Sequence, residues 1–291
     1  MKRLEQSNIS TLLTPLHPPR KGSLLYHWRN IFKNIHAYSF FIRQLVRINI
    51  LRDFKRSYIG LLWLFILPVL SVIIWILLNG AGIVEPGETG IPYPAFVLLS
   101  TSIWGFFAEL YRSTSRIFTE RGNMMIMARF PHEVLVVERI LVHLIRFSIP
   151  FLVNIVVLLL FGVRFTWLAL LFPLTLLPLL ILGMAIGLVV SLLRVVAVDI
   201  ASLADHGINF LMFLTPVVYA PTIWIGWLSE AIRFNPLTYL VGFSRDVLTQ
   251  GTFYEPATWG ICILLTLIFF LFAARVFAAA EPKVMERLIN N

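Results

Sequence analysis

Charged side chains are scarce in this chain. Asp, Glu, Lys and Arg make up only 13% of its 291 residues, whereas 58% are hydrophobic, and the mean hydropathy is +0.84. A soluble domain carries about 25% charged residues, roughly twice this fraction. Such a composition could not keep a surface hydrated, so it excludes an ordinary soluble protein and indicates an integral membrane protein.

Cysteine is almost absent, and so are the signatures of enzymes. Cys262 is the only cysteine, which excludes an intrachain disulfide and a cysteine-based metal site. The sequence contains no G-x-x-x-x-G-K-[ST] phosphate loop, since Gly183 and Gly187 lack the lysine and lie in an apolar run. No His/Glu metal pattern and no serine on a nucleophile elbow appear either. We therefore expect no catalytic residue, metal or cofactor on this chain. If the chain performs energised work, we expect the energy to come from another polypeptide or from an ion gradient.

Acidic residues are the scarcer of the two charge types. The chain has 24 Lys and Arg against 15 Asp and Glu, a formal net charge of +9. The positive residues flank apolar runs, where they favour contact with the inner lipid leaflet, so we do not predict a nucleic-acid partner. The first thirty residues hold no continuous apolar core, and a cleavable signal peptide is not expected.

Apolar runs of membrane-spanning length are abundant. A transmembrane helix needs about 20 residues, and the second run reaches that length if Ile91 and Tyr93 are included. An even number of spans places both termini on one side. The sequence predicts an all-α integral membrane fold of six transmembrane helices within 59–279, at 59–78, 95–110, 140–161, 167–193, 200–218 and 258–277.

Lysine and arginine are distributed unequally between the two sides of these spans. With the N-terminus inside, twenty of the 24 fall on cytoplasmic flanks, including the tail 280–291. Arg164, Arg233 and Arg245 fall outside, and Arg146 lies within the third span. The positive-inside rule therefore predicts that both termini are cytoplasmic.

The N-terminal region precedes the first span and is basic. Residues 1–35 are predicted to form a flexible basic tail, and 36–58 an amphipathic helix in the membrane interface. Phe41, Leu45 and Ile48 share one helical face, while Arg43 and Arg47 project elsewhere. This pattern is typical of a helix that points its basic side chains towards lipid phosphates.

The cytoplasmic loop 112–139 carries an apolar patch on the wet side of the membrane. Breaks are predicted at Gly122-Asn123 and before Pro131. Between them lie Met124, Met125, Ile126, Met127 and Phe130. The patch packs on the chain's own helix ends, or it docks in a groove on a cytoplasmic partner, for which flexible methionines are well suited.

The segment 216–251, between the fifth and sixth spans, contains an apolar piece, 222–228, that is too short to cross the membrane. Asn235 is a predicted N-cap with Pro236 at the first helical position. The helix that follows should reach about Gln250, with Gly251 as its C-terminal stop. Together with the short apolar piece 222–228, this predicts a re-entrant helical hairpin, which is tolerated only beside protein or a watery cavity.

Aromatic and polar side chains supply two sets of candidate site residues. The aromatic set is expected at the outer level of the membrane and just below it, as an interfacial belt or as a surface on which sugar rings stack; it comprises Trp104, Phe107, Tyr111, Tyr219, Trp224 and Trp227. The polar set lies within predicted spans, where such residues are costly, and either bridges helices or lines a path; it comprises His143, Arg146, Asp205, His206 and Asn209. Arg194 and Asp199 read as ordinary anchors at a cytoplasmic turn.

Several motifs occur in an order that resembles one family. They are an R-D-x-K-x-x-Y-x-G-x-L-W motif at 52–63, Pro92-Tyr93-Pro94, Trp104, Arg129-Phe130-Pro131, Thr215-Pro216-Val217-Val218-Tyr219, Asn235-Pro236-Leu237-Thr238 and Arg245. The chain, over roughly 36–285, resembles the membrane subunit of ABC-2-type polysaccharide exporters, which move O-antigen, capsule or teichoic-acid polymers. One departure is Val198-Asp199, where members of the family often have an Arg-Asp pair, which places the corresponding ionic contact in question.

The resemblance implies partners and roles. It implies a homodimer in the bacterial cytoplasmic (inner) membrane, two copies of a separate ATPase subunit that binds ATP and Mg²⁺, and an undecaprenyl-type lipid-linked glycan passing between the protomers. It implies a coupling element that docks in the ATPase, formed by Glu120, Arg121, Met124, Met125, Phe130, Pro131 and His132. It also implies a joint beside the carrier lipid, formed by Arg52, Asp53, Lys55, Arg56 and Gly60. The alternatives are an ABC-2 permease for a drug or small lipid, and a membrane transferase acting on lipid-linked sugar.

Overall fold

The structure is a computed structural model that describes residues 33–55, 66, 70, 73–83, 85–120, 133–221 and 226–290. Within these ranges the secondary structure is helical, without strands. A 3-10 turn, Trp167–Leu171, and a one-turn helix, Phe172–Thr175, precede α4. The helices are α1 (Ser39–Lys55), α2 (Tyr93–Ser115), α3 (Glu133–Leu160), α4 (Leu177–Val196), α5 (Val198–Leu211), α6 (Gly226–Phe234), α7 (Pro236–Thr249) and α8 (Pro256–Asn290).

Four helical stretches are long and apolar enough to cross a membrane: Tyr93–Ser115, Val134–Leu160, Trp167–Val196 and Pro256–Glu281. They coincide with the second, third, fourth and sixth predicted spans, and they confirm a multi-pass membrane protein. Most of the first predicted span, 59–78, lies outside the described residues, although 73–80 is helical.

The fifth predicted span, 200–218, differs from the expectation. Helix α5 has 14 residues, about 21 Å at 1.5 Å per residue, which is shorter than the hydrocarbon core. Turns occupy residues 212–219. Pro216 cannot continue a helix, because it has no N–H to donate and its ring clashes with the preceding turn.

Helices α2 and α4 form the centre of the molecule. In the most apolar window of each of these two spans, 67% of the residues are buried. Close contact depends on Gly183 and Gly187 of α4, one turn apart. A Cβ on Gly183 would lie 2.8 Å from the Phe107 carbonyl oxygen, and one on Gly187 would lie 2.7 Å from Thr114 Cβ. The two glycines thus form a small-xxx-small contact of the kind that lets membrane helices approach backbone to backbone.

Helices α3 and α8 pack on the outside of this pair and expose long apolar faces. Only 17% and 22% of their membrane-length windows are buried, which suits contact with lipid. Helix α1 lies against α3 and buries Ile42 and Leu45. The face of α1 that packs on protein is centred on Ile42 and Leu45, whereas Ile48 of the predicted apolar face is 53% exposed.

The helices have two distinct ends. At the end that we call the basic end, Arg194 of α4 donates to the Ser115 carbonyl oxygen at the close of α2. At the opposite end, the hairpin end, the backbone N–H of Ala220 donates to the Pro86 carbonyl oxygen, and Gly251 lies against Thr166. All segments between 212 and 255 that the structure describes therefore gather at the side where α2 begins.

Candidate functional site

A polar cluster joins α2, α4 and α5 at the basic end. The Arg194 guanidinium donates to both carboxylate oxygens of Asp205, at 2.8 and 2.9 Å. The Tyr111 hydroxyl donates to Asp205 Oδ1 at 2.7 Å. Arg194 Nη2 also donates to Ser115 Oγ at 3.2 Å. Asp205 is thus held from two helices at once, and a charge-assisted pair of this kind is among the stronger hydrogen-bonded contacts in proteins.

The cluster explains part of the predicted polar set. Asp205 bridges helices, which was one of the two expected roles. Asn209, one turn further, accepts from Arg112 Nη2 at 3.2 Å, while its neighbour His206 is exposed. The reading of Arg194 as an ordinary anchor was wrong. An Arg–Asp contact exists here despite the departure at Val198-Asp199, because a residue of α4 supplies the arginine.

The other two predicted polar residues lie on α3, away from this cluster. His143 is buried, and its ring lies 4.6 Å from the Phe106 ring, centroid to centroid. Its Nε2 atom has no hydrogen-bond partner among the residues that the structure covers. Arg146 is half-buried. Helix α2 lies between this pair and Asp205, because its Phe106 contacts His143 and its Tyr111 contacts Asp205. The predicted polar set therefore does not form one continuous stripe.

The base of the predicted cytoplasmic loop is tied to α3. Arg139 Nη2 donates to Glu120 Oε2 at 2.7 Å, and Arg139 Nη1 donates to Ser113 Oγ at 3.3 Å. The preceding residue, Glu138, is fully buried and accepts a hydrogen bond from Asn49 of α1. Two consecutive side chains of α3 thus connect the loop base on one side with the interface helix on the other.

These contacts involve only one of the predicted coupling residues, Glu120. The remaining ones, Arg121, Met124, Met125, Phe130, Pro131 and His132, lie outside the described residues, and their role stays a prediction. Of the predicted joint beside the carrier lipid, Arg52 is exposed near the end of α1. Asp53 and Lys55 lie in its last turn, while Arg56 and Gly60 are outside the described ranges.

The hairpin end is organised by Asn235. Its Oδ1 accepts from the Leu237 N–H at 3.0 Å, so the predicted N-cap of α7 is confirmed. Its Nδ2 donates to Thr215 Oγ1 at 2.8 Å and to the Leu214 carbonyl oxygen at 3.1 Å. The stop at Gly251 is confirmed too, because Gly251 has φ +64° and donates to the Asp246 carbonyl oxygen. One amide therefore links two motifs twenty residues apart.

Helix α7 brings a charged pair into the interior. Arg245 and Asp246 are both buried and joined at 3.0 Å between Nε and Oδ1. The Arg245 guanidinium also lies 4.4 Å from the centre of the Phe96 ring, within cation–π range. Burial raises the pKa of the Asp246 carboxyl, and the Arg245 charge opposes that rise. The sequence singled out Arg245 only as part of a motif and did not predict this pair.

A cavity of about 210 Å³ opens beside this pair. We call it the Arg245 cavity; it lies between the loop that precedes α2 and the end of α7. Its lining includes Glu88, Thr89, Phe96, Arg245, Asp246 and Gln250. No hydropathy pattern predicts it, because its residues come from three distant places in the chain: 88–96, Pro221 and 245–250.

The predicted aromatic set is not gathered on one surface. Trp104, Phe107 and Tyr111 are buried in the core, and Tyr111 lies at the basic end rather than at the outer level where the sequence placed it. Fully buried Phe107 and Tyr111 cannot contact a glycan in this conformation. Tyr219 is half-buried and donates to the Phe213 carbonyl oxygen, whereas Trp227 on α6 is 72% exposed. Trp224 falls outside the described ranges.

Comparison with known proteins gives a consistent result. The chain is 23% identical over 229 residues to the O-antigen export system permease protein RfbA of Myxococcus xanthus, covering 77% of this chain and 84% of that protein. It is 24% identical over 204 residues to the protein of the same name from Klebsiella pneumoniae, covering 68% of this chain and 76% of the relative.

A family pattern covers most of the same region. The sequence pattern described as ABC-2 type transporter matches residues 41–249, a stretch that holds α1, the α2–α4 core, the Arg194–Asp205 pair and both hairpin-end motifs. The predicted resemblance is thereby confirmed. The chain belongs to the ABC-2 type transporter family, as a transporter membrane subunit that works with an ABC ATPase rather than as an enzyme.

Proposed function

We propose that this chain is the membrane subunit of an exporter that moves a lipid-linked polysaccharide, resembling O-antigen, capsule or teichoic acid, across the bacterial inner membrane. The observation that carries the proposal is the similarity to O-antigen export permeases over 77% of this chain and 84% of the relative. Because so much of both chains aligns, the similarity is not confined to one generic membrane segment.

The proposed assembly is a homodimer with two copies of the ATPase subunit, in which the glycan passes between protomers. The exposed surface of α5 supports it. His206 and Asn209 are exposed on this helix, and Arg112 beside them has 42% of its side chain exposed. Polar groups at membrane depth face protein or a watery cavity rather than lipid. A second copy facing α5 would enclose these groups in a polar conduit.

The proposed topology has six spans, with both termini in the cytoplasm and a re-entrant hairpin at the outer face. The fifth span would consist of α5 together with the turns at 212–219 that extend it. The basic end carries Arg112, Arg116, Arg139 and Arg194, which the positive-inside rule assigns to the cytoplasm. The hairpin end would then be the outer end. Helices α6 and α7, with nine and 14 residues, are too short to cross and suit a segment that enters the outer leaflet and returns.

The proposed route of coupling runs from the ATPase through the cytoplasmic loop to α3 and α1. The support is the pair of consecutive residues on α3: Arg139 holds Glu120 at the loop base, while Glu138 holds Asn49 of the interface helix. A movement of the loop would therefore be transmitted to the interface helix through two adjacent side chains. The phosphates of the carrier lipid would lie beside that helix.

The test is reconstitution of the chain with its ABC ATPase subunit. Proteoliposomes that contain both subunits should hydrolyse ATP faster when lipid-linked glycan is present, and deletion of this chain from its host should remove the surface polysaccharide. The control is an ATPase variant that binds but cannot hydrolyse ATP. Normal surface polysaccharide in the deletion strain would overturn the proposal.

A second candidate, export of a small lipid, is favoured by one observation. An apolar cavity of about 210 Å³ lies between α2, α3 and the start of α4 and is lined by Phe106, Phe147, Phe151 and Phe172. Their rings follow one another at 4.7, 6.1 and 5.1 Å between centroids. This candidate would be favoured if free phospholipid stimulated ATP hydrolysis and lipid-linked glycan gave no further stimulation.

A further inference from the structure

The Arg245 cavity has a buried floor and an exposed rim. Phe96, Arg245 and Asp246 at its floor are all at least nine-tenths buried. Glu88 and Gln250 at its rim are exposed, and Thr89 is half-buried. Two contacts hold the walls: the Ala220 backbone N–H donates to the Pro86 carbonyl oxygen, and the Gln250 side chain lies over Gly90. The cavity is thus a formed concavity that opens at the hairpin end.

The polar groups of the cavity are suited to hydroxyl groups. The carboxylates of Asp246 and Glu88 accept hydrogen bonds, and the Gln250 amide both donates and accepts. Thr89 Oγ1 donates its proton to the Ile91 carbonyl oxygen at 2.7 Å, which leaves its lone pairs as acceptors. Mixed donors and acceptors around an apolar wall, here Phe96, are the elements that orient a small polyhydroxylated ligand.

The charges of the cavity disfavour an anion. Two carboxylates face one guanidinium, and that guanidinium is already engaged by Asp246 Oδ1, by the Phe96 ring and by the Pro216 carbonyl oxygen at 3.4 Å. A phosphate or uronate would meet the negative charge of Glu88, which also lines the cavity. An uncharged ligand avoids this repulsion, since hydroxyl groups can donate to both carboxylates.

The size of the cavity limits the ligand to one ring. Its 210 Å³ is below the roughly 300–1,000 Å³ of pockets that enclose drug-sized molecules. We propose that the Arg245 cavity binds one uncharged pyranose residue of the exported glycan at the outer end of the protein. This inference rests on the proposed export of a polysaccharide. It assigns that substrate a contact site for a single sugar, which none of the residues of the predicted aromatic set lines.

The experiment uses the complex of this chain and its ATPase in lipid nanodiscs. Saturation-transfer NMR would measure contact with methyl glycosides of glucose, galactose, mannose and rhamnose, and with methyl glucuronide as the anionic comparison. We expect transfer to at least one neutral glycoside, and a signal from the glucuronide less than a third as large. The rim variant Glu88→Ala/Gln250→Ala should lower the neutral signal at least threefold.

The matched control is Glu85→Ala, which removes an exposed carboxylate of the same loop that does not line the cavity. It should leave the signal unchanged. The absence of transfer to every neutral glycoside, an equal loss in both variants, or a stronger signal from the glucuronide would each overturn the site. If the complex exports polysaccharide but fails this test, only the proposed sugar site is refuted. If the host keeps its surface polysaccharide without this chain, the proposed function itself is refuted.

Discussion

Arg194 and Asp205 are joined by two hydrogen bonds of 2.8 and 2.9 Å across the tight turn between α4 and α5. The two side chains are only 12% and 25% exposed, so water screens their attraction weakly. The pair ties α5 to the central helix, and His206 and Asn209 on α5 are exposed. Its position makes it the principal polar support of the proposed conduit wall.

Removal of the carboxylate should destabilise the protein. Asp205→Ala leaves Arg194 without its charge partner, and loss of one partner of a largely buried pair costs about 3 kcal/mol. We expect the apparent melting temperature in detergent to fall by roughly 5–10 °C. The control is Asp199→Ala, which removes an exposed carboxylate from the same helix. Similar melting temperatures for the two variants would contradict a structural role for the pair.

The contact between α4 and α2 should be sensitive to a single methyl group. Gly183→Ala and Gly187→Ala place Cβ atoms within 2.8 Å of α2, and overpacking of this kind costs about 1–3 kcal/mol. Gly105→Ala and Gly207→Ala meet no atom within 4 Å, and alanine favours the helix by about 0.5–1 kcal/mol. The melting temperature should therefore fall for Gly183→Ala and Gly187→Ala and rise for Gly105→Ala and Gly207→Ala. A shift in the same direction for all four variants would argue against close contact between the helices.

The base of the cytoplasmic loop should control recovery of the ATPase. Glu120→Lys replaces the 2.7 Å pair with Arg139 by repulsion between like charges, and should reduce co-purification of the ATPase at least threefold. Glu109→Lys is the matched control, since Glu109 pairs with Arg112 at 3.5 Å on α2, outside the loop. Equal recovery with both variants would show that the Glu120–Arg139 contact does not organise the docking loop.

Trp227 should affect glycan handling if it stacks on sugar rings. Trp227→Ala is expected to lower glycan-stimulated ATP hydrolysis severalfold while basal hydrolysis and assembly persist. Trp167→Ala provides the comparison, because Trp167 is equally exposed, at 75% against 72%, and lies at the same end but off the hairpin. If both tryptophans only anchor the protein in the interface, the two variants will behave alike.

The features that the sequence predicted are those that depend on local chemistry. The length of an apolar run is independent of its neighbours, so the spans at α2, α3, α4 and α8 could be located from hydropathy. The cap at Asn235 and the stop at Gly251 were predictable because a side chain and a backbone angle within a few residues decide them. The break that shortens α5 is also local, since Pro216 lies in the sequence, but hydropathy alone extended the span past it.

The features that could not be predicted depend on which faces meet. In a membrane helix every face is apolar, so hydropathy does not distinguish a side that packs on protein from one that faces lipid. Trp104, Phe107 and Tyr111 were therefore expected in an interfacial belt or on a sugar-stacking surface, although all three are buried in the core. Glu138 and Asn49, 89 positions apart, offered no pattern that would join them.

Composition and order of residues alone determined that this chain is a multi-pass helical membrane protein of the ABC-2 type, because apolar length, basic flanks and short motifs are properties of the linear sequence. Only the tertiary structure decided that Arg194 pairs with Asp205, that Arg139 holds the loop base, and that residues around 88 and 245 enclose one cavity. Those contacts require helices to approach at particular angles, and the packing around Gly183 and Gly187 is what permits that approach.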